Sequence, residues 1–426
     1  MARGFSVLAL LLVLGLGTAM ETSSNSELKV EPRADQAAKV NLAQDAFLKG
    51  WTHYLRSTPR ELVMAEALFK EAIALDADYG PAYAGLASTY WLASQRFWEM
   101  RFGFNWKWAR VLTIKLLETA QKAPTAIAHQ LASSIYIVQR RYAESIGAAR
   151  RAIELDSNSV EAYRALAYAL IMSGQPAEAR KTVERVQRLD PRAAGRNFFL
   201  LGLIAFTEGN LEQAASLIER AREHVKDAQF YLPPLIAAYV HLGRDDEART
   251  MLKIYYDWFS THSTELSSIM YFWPFKDNAV AARLANGLLL AGIQGKPGGF
   301  YNVSDEHRLT GPEIAGLFKK FGRAWKIYDV RAFGQYPMDL TDLFRKDGTV
   351  VRKFEGWSGG GDVGINFEWI GQYRIDGDLL CIDFQRAVVG GLGCRPVFRS
   401  TDIARRANRE YIIVGALGFY EFSPAD

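Results

Sequence analysis

Cys381 and Cys394, the two cysteines of the chain, stand thirteen positions apart on segments where polar and apolar residues alternate. Two thiols exclude a four-thiolate cluster and a disulfide-dense miniature fold, and with no histidine at ligand spacing they exclude a zinc finger. In an exported chain such a pair reads as a disulfide rather than a metal site. Closing a loop of that size stabilises by about 3 kcal/mol. Asp362, and Asp376 with Asp378, are carboxylates that could share general-acid and general-base work. Each lies in a turn-rich stretch where Asp bonds to its own backbone, so turn chemistry is the better reading. Gly359-Gly-Gly361 lacks the Lys-Ser/Thr and the strand-to-helix passage of a phosphate loop. His129, His224 and His241 stand apart from other ligand types, and no Gly-x-Ser-x-Gly turn marks a nucleophile. The expectation is a chain with no catalytic residue, no metal site and no cofactor.

Aromatic residues concentrate instead. Trp91, Phe97, Trp98, Phe102, Phe104, Trp106 and Trp108 place four of the ten tryptophans within eighteen residues. Such a patch is either a binding platform or a set of rings packed between an elongated pair of helices.

The elements that position these residues show a period. Ser145, Ala179, Ala214 and Ala248 are 34, 35 and 34 residues apart, each in a similar setting. Upstream of each lies an apolar segment, at Ala132 to Tyr136, Leu166 to Leu170, Leu201 to Ala205 and Leu235 to Tyr239. Gly174, Gly209 and Gly243 fall between, able to take the positive φ that ends a helix. Each unit is therefore a helix, a tight turn and a second helix, and neighbours must stack to bury their apolar faces.

Tyr163, Leu166, Ala167, Ala179, Val186 and Pro191, with Gly202, Ala214 and Ala221 in the next unit, resemble the tetratricopeptide (TPR) signature. The resemblance implies an α-solenoid over residues 44–298, a right-handed superhelix of antiparallel helix pairs. Its first helices would line a groove for a protein or peptide partner. By phase that groove would expose Gln130, Ser134, Glu161, Arg164, Tyr168, Arg196, Phe199, Leu203 and Phe230. These residues could equally pack against one another or against an adjoining helix. Trp273-Pro-Phe-Lys-Asp277, followed by an apolar helix ending at Ala291-Gly292-Ile293, reads as a cap on the array. With the repeats it is similar to the non-catalytic region of some bacterial class III adenylate cyclases, which implies a regulatory or scaffolding module without cyclase activity.

Residues 299–308 read as a linker, and from Leu309 the pattern changes. Thr310 and Pro312 open a short helix. Beyond Arg323 the apolar period becomes two, in segments at Trp325 to Val330, Leu340 to Phe344, Val350 to Phe354, Gly364 to Ile375, Leu379 to Phe384, Arg395 to Arg399 and Tyr411 to Tyr420. Asp347-Gly348 and Asp376-Gly377 are hairpin turns. Residues 309–426 are thus expected to form a small antiparallel β-barrel or sandwich. Trp325, Phe367, Trp369 and Phe384 would fill it or line a ligand mouth. The fold class is α+β, in two domains.

The first residues are an address. Arg3 precedes the uncharged apolar run Phe5 to Leu16, and Gly17-Thr18-Ala19 offers small residues for cleavage. Residues 1–19 read as a signal peptide, or, left uncleaved, as a membrane anchor; residues 20–43 read as a flexible leader. Of 426 residues 49% are hydrophobic, enough for a sizeable core, and 51 basic against 47 acidic side chains leave a formal charge of only +4. That balance argues against nucleic-acid binding. The sequence therefore points to an exported, periplasmic or secreted, interaction scaffold. The alternative is a small-ligand sensor built on the β domain.

Overall fold

The computed structural model describes residues 33–96, 98–103, 106–192, 194–225, 229–259, 266–295, 305–320, 322–329, 339–357, 364–383, 394–399, 411–415 and 418–424. The expected signal segment, the leader up to residue 32, Phe97, Gly359 to Gly361 and Asp362 lie outside the described residues.

Twelve helices form six pairs: α1 (Arg33–Arg56) with α2 (Pro59–Leu75), α3 (Gly80–Arg96) with α4 (Trp106–Ala120), and α5 (Ala126–Val138) with α6 (Tyr142–Leu155). Then come α7 (Val160–Met172) with α8 (Pro176–Leu189), α9 (Ala194–Glu208) with α10 (Leu211–His224), and α11 (Leu232–His241) with α12 (Asp245–Phe259). Two further helices, α13 (Leu266–Phe272) and α14 (Asn278–Ala291), follow, and α14 packs along α11. The side chains of Thr58, Thr125, Ser159, Asn210 and Asp277 accept amide N–H groups at helix starts, which have no partner within the helix. Ala149, Ala152, Ala179, Ala214, Ala221 and Ala248 are buried where helices meet. At the same kind of contact a Cβ on Gly202 would come within 2.7 Å of Ile218.

In five of the six pairs the turn carries one residue with positive φ, two positions before the second helix. These are Ser57 at 52°, Arg140 at 61°, Gly174 at 79°, Gly209 at 81° and Gly243 at 73°. The second pair differs. Its helices are of ordinary length, and the extra residues lie in the connection, which contains a 3-10 turn at Glu99–Phe102. Trp91 and Trp98 are buried there, and the Arg110 guanidinium lies 3.8 Å from the Trp91 ring centroid. These two rings are core rather than platform; the side chains of Trp106 and Trp108 lie outside the described residues.

The array starts earlier than expected. α1 begins at Arg33, so residues 33–43 are helical and not a flexible leader. Extending a packed helix outward costs little per residue, and this stretch holds good helix formers. From Lys39 on, the first buried residue is Ala43. When Ser57 is superposed on Gly174 in sequence, Asp45, Lys49 and Thr52 stand where Ala162, Leu166 and Ala169 are buried. All three polar residues are exposed, and Lys49 donates to Asp45 at 2.6 Å. Among the described residues nothing packs on that side of the first unit, and these three positions are polar there, though Leu48 and Leu55 of the same helix are also exposed.

The second part is one curled antiparallel sheet. Its strands are β1 (Ala324–Asp329), β2 (Asp339–Phe344), β3 (Thr349–Trp357), β4 (Gly364–Asp376), β5 (Leu379–Asp383), β6 (Cys394–Arg395), β7 (Val397–Arg399), β8 (Tyr411–Gly415) and β9 (Gly418–Pro424). The order across the sheet is β6-β5-β4-β3-β2-β1-β9-β8-β7. The expected single segment from Arg395 to Arg399 is cut by Pro396, and its halves pair at opposite ends of this order. The sheet must curl to allow that, and it forms a half-barrel rather than two stacked sheets. Gly348 and Gly377 make the expected hairpin turns with φ of 86° and 53°. The hollow of the curl is filled by α15 (Gly311–Lys320), whose Phe318 lies 4.7 Å from Trp325 and 5.2 Å from Phe344. Trp325 also stacks on Phe422 at 5.0 Å. Asp342 and Arg352, opposite one another in register, make a buried bidentate pair at 2.6 and 2.7 Å. The side chains of Phe367, Trp369 and Phe384 lie outside the described residues.

The two parts meet directly. Val397, Tyr411 and Ile413 point into the half-barrel, while their neighbours Phe398 and Ile412 point into the core of the helix pairs. The two-residue period of a strand thus serves two cores at once. The expected linker is partly structured at this junction: Asp305–His307 form a 3-10 turn, Arg308 bridges Phe398, and the Leu309 amide donates to Val397 at 2.8 Å. Arg308 also lies 3.5 Å from Glu144 on α6. Among the described residues no helix is long and apolar enough to cross a membrane.

Candidate interaction site

Of the residues expected on the first helices, Glu161, Arg164 and Arg196 are joined by ion pairs, Phe199 and Phe230 meet at Trp273, and Tyr168 reaches Phe272. They do not line an open groove. Glu161, at the start of α7, accepts from Arg164 one turn later and from Arg196 of α9 at 3.0 Å. Arg164 also donates to Asp190 at 2.9 Å. Arg196 then reaches across the interior to the first pair, donating to the Leu55 carbonyl at 3.0 Å and to Ser57 Oγ at 3.3 Å. The charges expected to greet a partner are therefore spent within the chain. Leu203 is fully buried, Phe199 stacks on Tyr231 at 3.7 Å, and Gln130 and Ser134 are half-buried on α5.

The interior is occupied by residues 266–277 of the same chain. Arg140, in the turn between α5 and α6, donates to the carbonyls of Met270 at 2.9 Å and Tyr271 at 3.0 Å, and to that of Val138 at 2.8 Å. The Tyr168 hydroxyl reaches the Phe272 carbonyl at 3.5 Å. Burial pushes the Tyr168 phenol up, out of the ordinary tyrosine range. Trp273 is 2% exposed, stacked on Phe230 at 5.0 Å and edge-on to Phe199 at 6.2 Å. Phe275 lies 6.2 Å from Phe206, and the Lys276 amide donates to the Met172 carbonyl at the end of α7. Asp277 then caps α14. The segment read as a cap on the array is thus also a strap across its inner face. An apolar wall left facing water would have to be covered, and this chain covers it with its own residues.

Arg140 is the residue that sequence reasoning missed. Its signal was present: it stands 34 positions before Gly174, where the repeat calls for glycine. The other candidates lead away from chemistry. Asp376 pairs with Arg374, Asp378 accepts the Gly311 amide at 2.8 Å, and His241 meets the Arg283 carbonyl at 2.8 Å. Asp376, Cys381 and Cys394 lie within ligand reach of one another. Cys381 and Cys394 face each other directly in the β5–β6 register, with their sulfurs at a bonding distance of 2.02 Å.

A family profile described as tetratricopeptide repeat matches residues 137–197, from the end of α5 to the start of α9. Arg140, Glu161, Arg164, Tyr168 and Arg196 fall inside it. No curated protein matches the chain. Among solved structures the chain is similar to YrrB, described as a TPR protein with an unusual peptide-binding site, at 22% identity over 46% of this chain and 93% of that one, with a TM-score of 0.27. It is similar to PilF of Pseudomonas aeruginosa at 16% identity over 52% of this chain and 94% of that one, with a TM-score of 0.34. Yeast Tom70 matches at 14% identity over 63% of this chain and 55% of that one, with a TM-score of 0.33. An adenylate cyclase is not among these.

Proposed function

We propose that the chain is a non-enzymatic scaffold for protein–protein interaction, exported to the bacterial cell envelope, and that its inner face recognises a polypeptide segment. The observation that carries this reading is the way that face holds residues 270–275. Arg140 and Tyr168 address main-chain carbonyls, whatever side chains those residues bear. Phe199 and Phe230 then select an aromatic side chain at the next position. Main-chain bonds for affinity and a side-chain pocket for choice are the general means by which extended peptides are bound. The family match over residues 137–197 supports the same reading. Export rests on the apolar run and small-residue site at the N-terminus.

The test is a photo-crosslinking residue placed at Gln130 or Ser134, with a surface position on α8 as control. The reading expects the inner-face positions to join a distinct envelope polypeptide that the control does not. Equal crosslinking from all positions would count against it. A ligand sensor, or a regulatory module of adenylate-cyclase signalling, has less support, because Trp325, Phe344, Phe422 and Phe318 fill the described hollow of the β part.

A further inference from the structure

We infer that residues 266–277 are a tethered competitor for the peptide site, latched by Arg140, and that an incoming partner presents the same chemistry in their place. The inference rests on the scaffold reading and adds its regulation. Of the four sister turns, three put glycine at the latch position, Gly174, Gly209 and Gly243, and the first puts the small Ser57. Arg140 holds the same positive φ with a side chain attached, a conformation that L-residues other than glycine, Asn and Asp rarely take. What it gains there is reach: from the turn its guanidinium spans to two consecutive carbonyls 130 and 131 residues away in sequence. Residues held in uncommon backbone regions mark places where the surroundings impose them for a purpose. Here the purpose is the strap.

The strap itself resembles a bound peptide more than a repeat. α13 is only seven residues long and stops at Phe272, so the Met270 and Tyr271 carbonyls belong to its last turn, and a tight turn centred on Pro274 follows, closed by the Phe275 amide on the Trp273 carbonyl at 2.9 Å. The matching partner is therefore a short helical turn with its last carbonyls free, followed by aromatic–proline–aromatic. Such a segment can replace each contact that Met270 to Phe275 make, which is the condition for exchange without a lasting loss of buried contacts.

The probe is a labelled peptide with the sequence of residues 266–277. Wild type, with the strap seated, is expected to bind it at least tenfold more weakly than the full chain carrying Trp273→Ala and Phe275→Ala, whose own strap no longer fills the aromatic site. Adding Arg140→Gly to that variant keeps the turn and removes the carbonyl clamp, so binding should fall at least tenfold again. If the emptied variant keeps its helical circular dichroism and binds no better than wild type, the strap is no competitor, whatever the crosslinking test says about scaffolding. If the emptied variant does not fold, Arg140→Gly alone decides by hydrogen exchange. At least tenfold faster exchange at amides 269–277, with those of α9 unchanged, supports the latch; unchanged rates overturn it.

Discussion

Arg140 and Gly174 occupy the same place in successive turns, with backbone φ of 61° and 79°. At Gly174 and at Gly243 a Cβ would meet nothing within 4 Å. The cost of a side chain there is conformational alone, so Gly174→Ala or Gly243→Ala should destabilise by about 1 to 2 kcal/mol. Gly174→Asn should lose less, because Asn tolerates this region. Chemical denaturation of the four chains checks the order. A loss of the same size at Gly147, which lies within α6 and also has open space around it, would show that the turn is not the reason.

Arg196 ties the fifth pair to the fourth through Glu161 and to the first through the Leu55 carbonyl. Arg196→Ala should lower overall stability by no more than about 1 kcal/mol, as part-exposed ion pairs contribute little. Its main effect should be local: faster hydrogen exchange and proteolysis in α1 and α2. Arg164→Glu should be worse, about 3 to 5 kcal/mol, because it sets a third acid beside Glu161 and Asp190 in a buried place.

Cys381 and Cys394 close a thirteen-residue step at one end of the sheet. Replacing both with serine should cost the β part about 3 kcal/mol and leave the helix pairs unaffected. Thiol labelling of denatured, unreduced protein provides the direct check: reaction at both cysteines would mean that the bond is not made.

Glu313, in the first turn of α15, is held below the usual carboxylate range. The Thr310 amide is the main cause, helped by the Thr310 hydroxyl and Arg399. Folding favours the charged form, so its contribution is whole above the ordinary glutamate pKa of about 4.3 and fades as pH falls through the lowered folded value. Glu313→Gln should therefore melt below wild type at pH 6, and the two should converge in strong acid. A gap that persists at pH 2 would assign the effect to something other than charge.

Much of this molecule was legible because its signals are local. The 34-residue step, the glycine turns and the period-two segments with Asp-Gly hairpins each depend on a few neighbours in the chain. Leu203 and Arg164 stand on first helices of their pairs, but both are buried, in a core that includes Trp273, seventy residues beyond Leu203. Likewise nothing near Pro396 shows that it divides one strand between two ends of a sheet. Position 140 was the exception. Its departure from glycine could be read in the sequence, yet its meaning came only with Met270 and Tyr271 beside it.

The placement of Pro396 has a consequence for life in a crowded compartment. A sheet ends in strands with unspent hydrogen-bonding groups, which invite another chain to add itself and start a fibril. Here the two terminal strands, β6 and β7, are only two and three residues long, and the residue between them has no amide proton to offer. Among the described residues the half-barrel thus offers only short edges at either margin, which leave an added strand few groups to pair with.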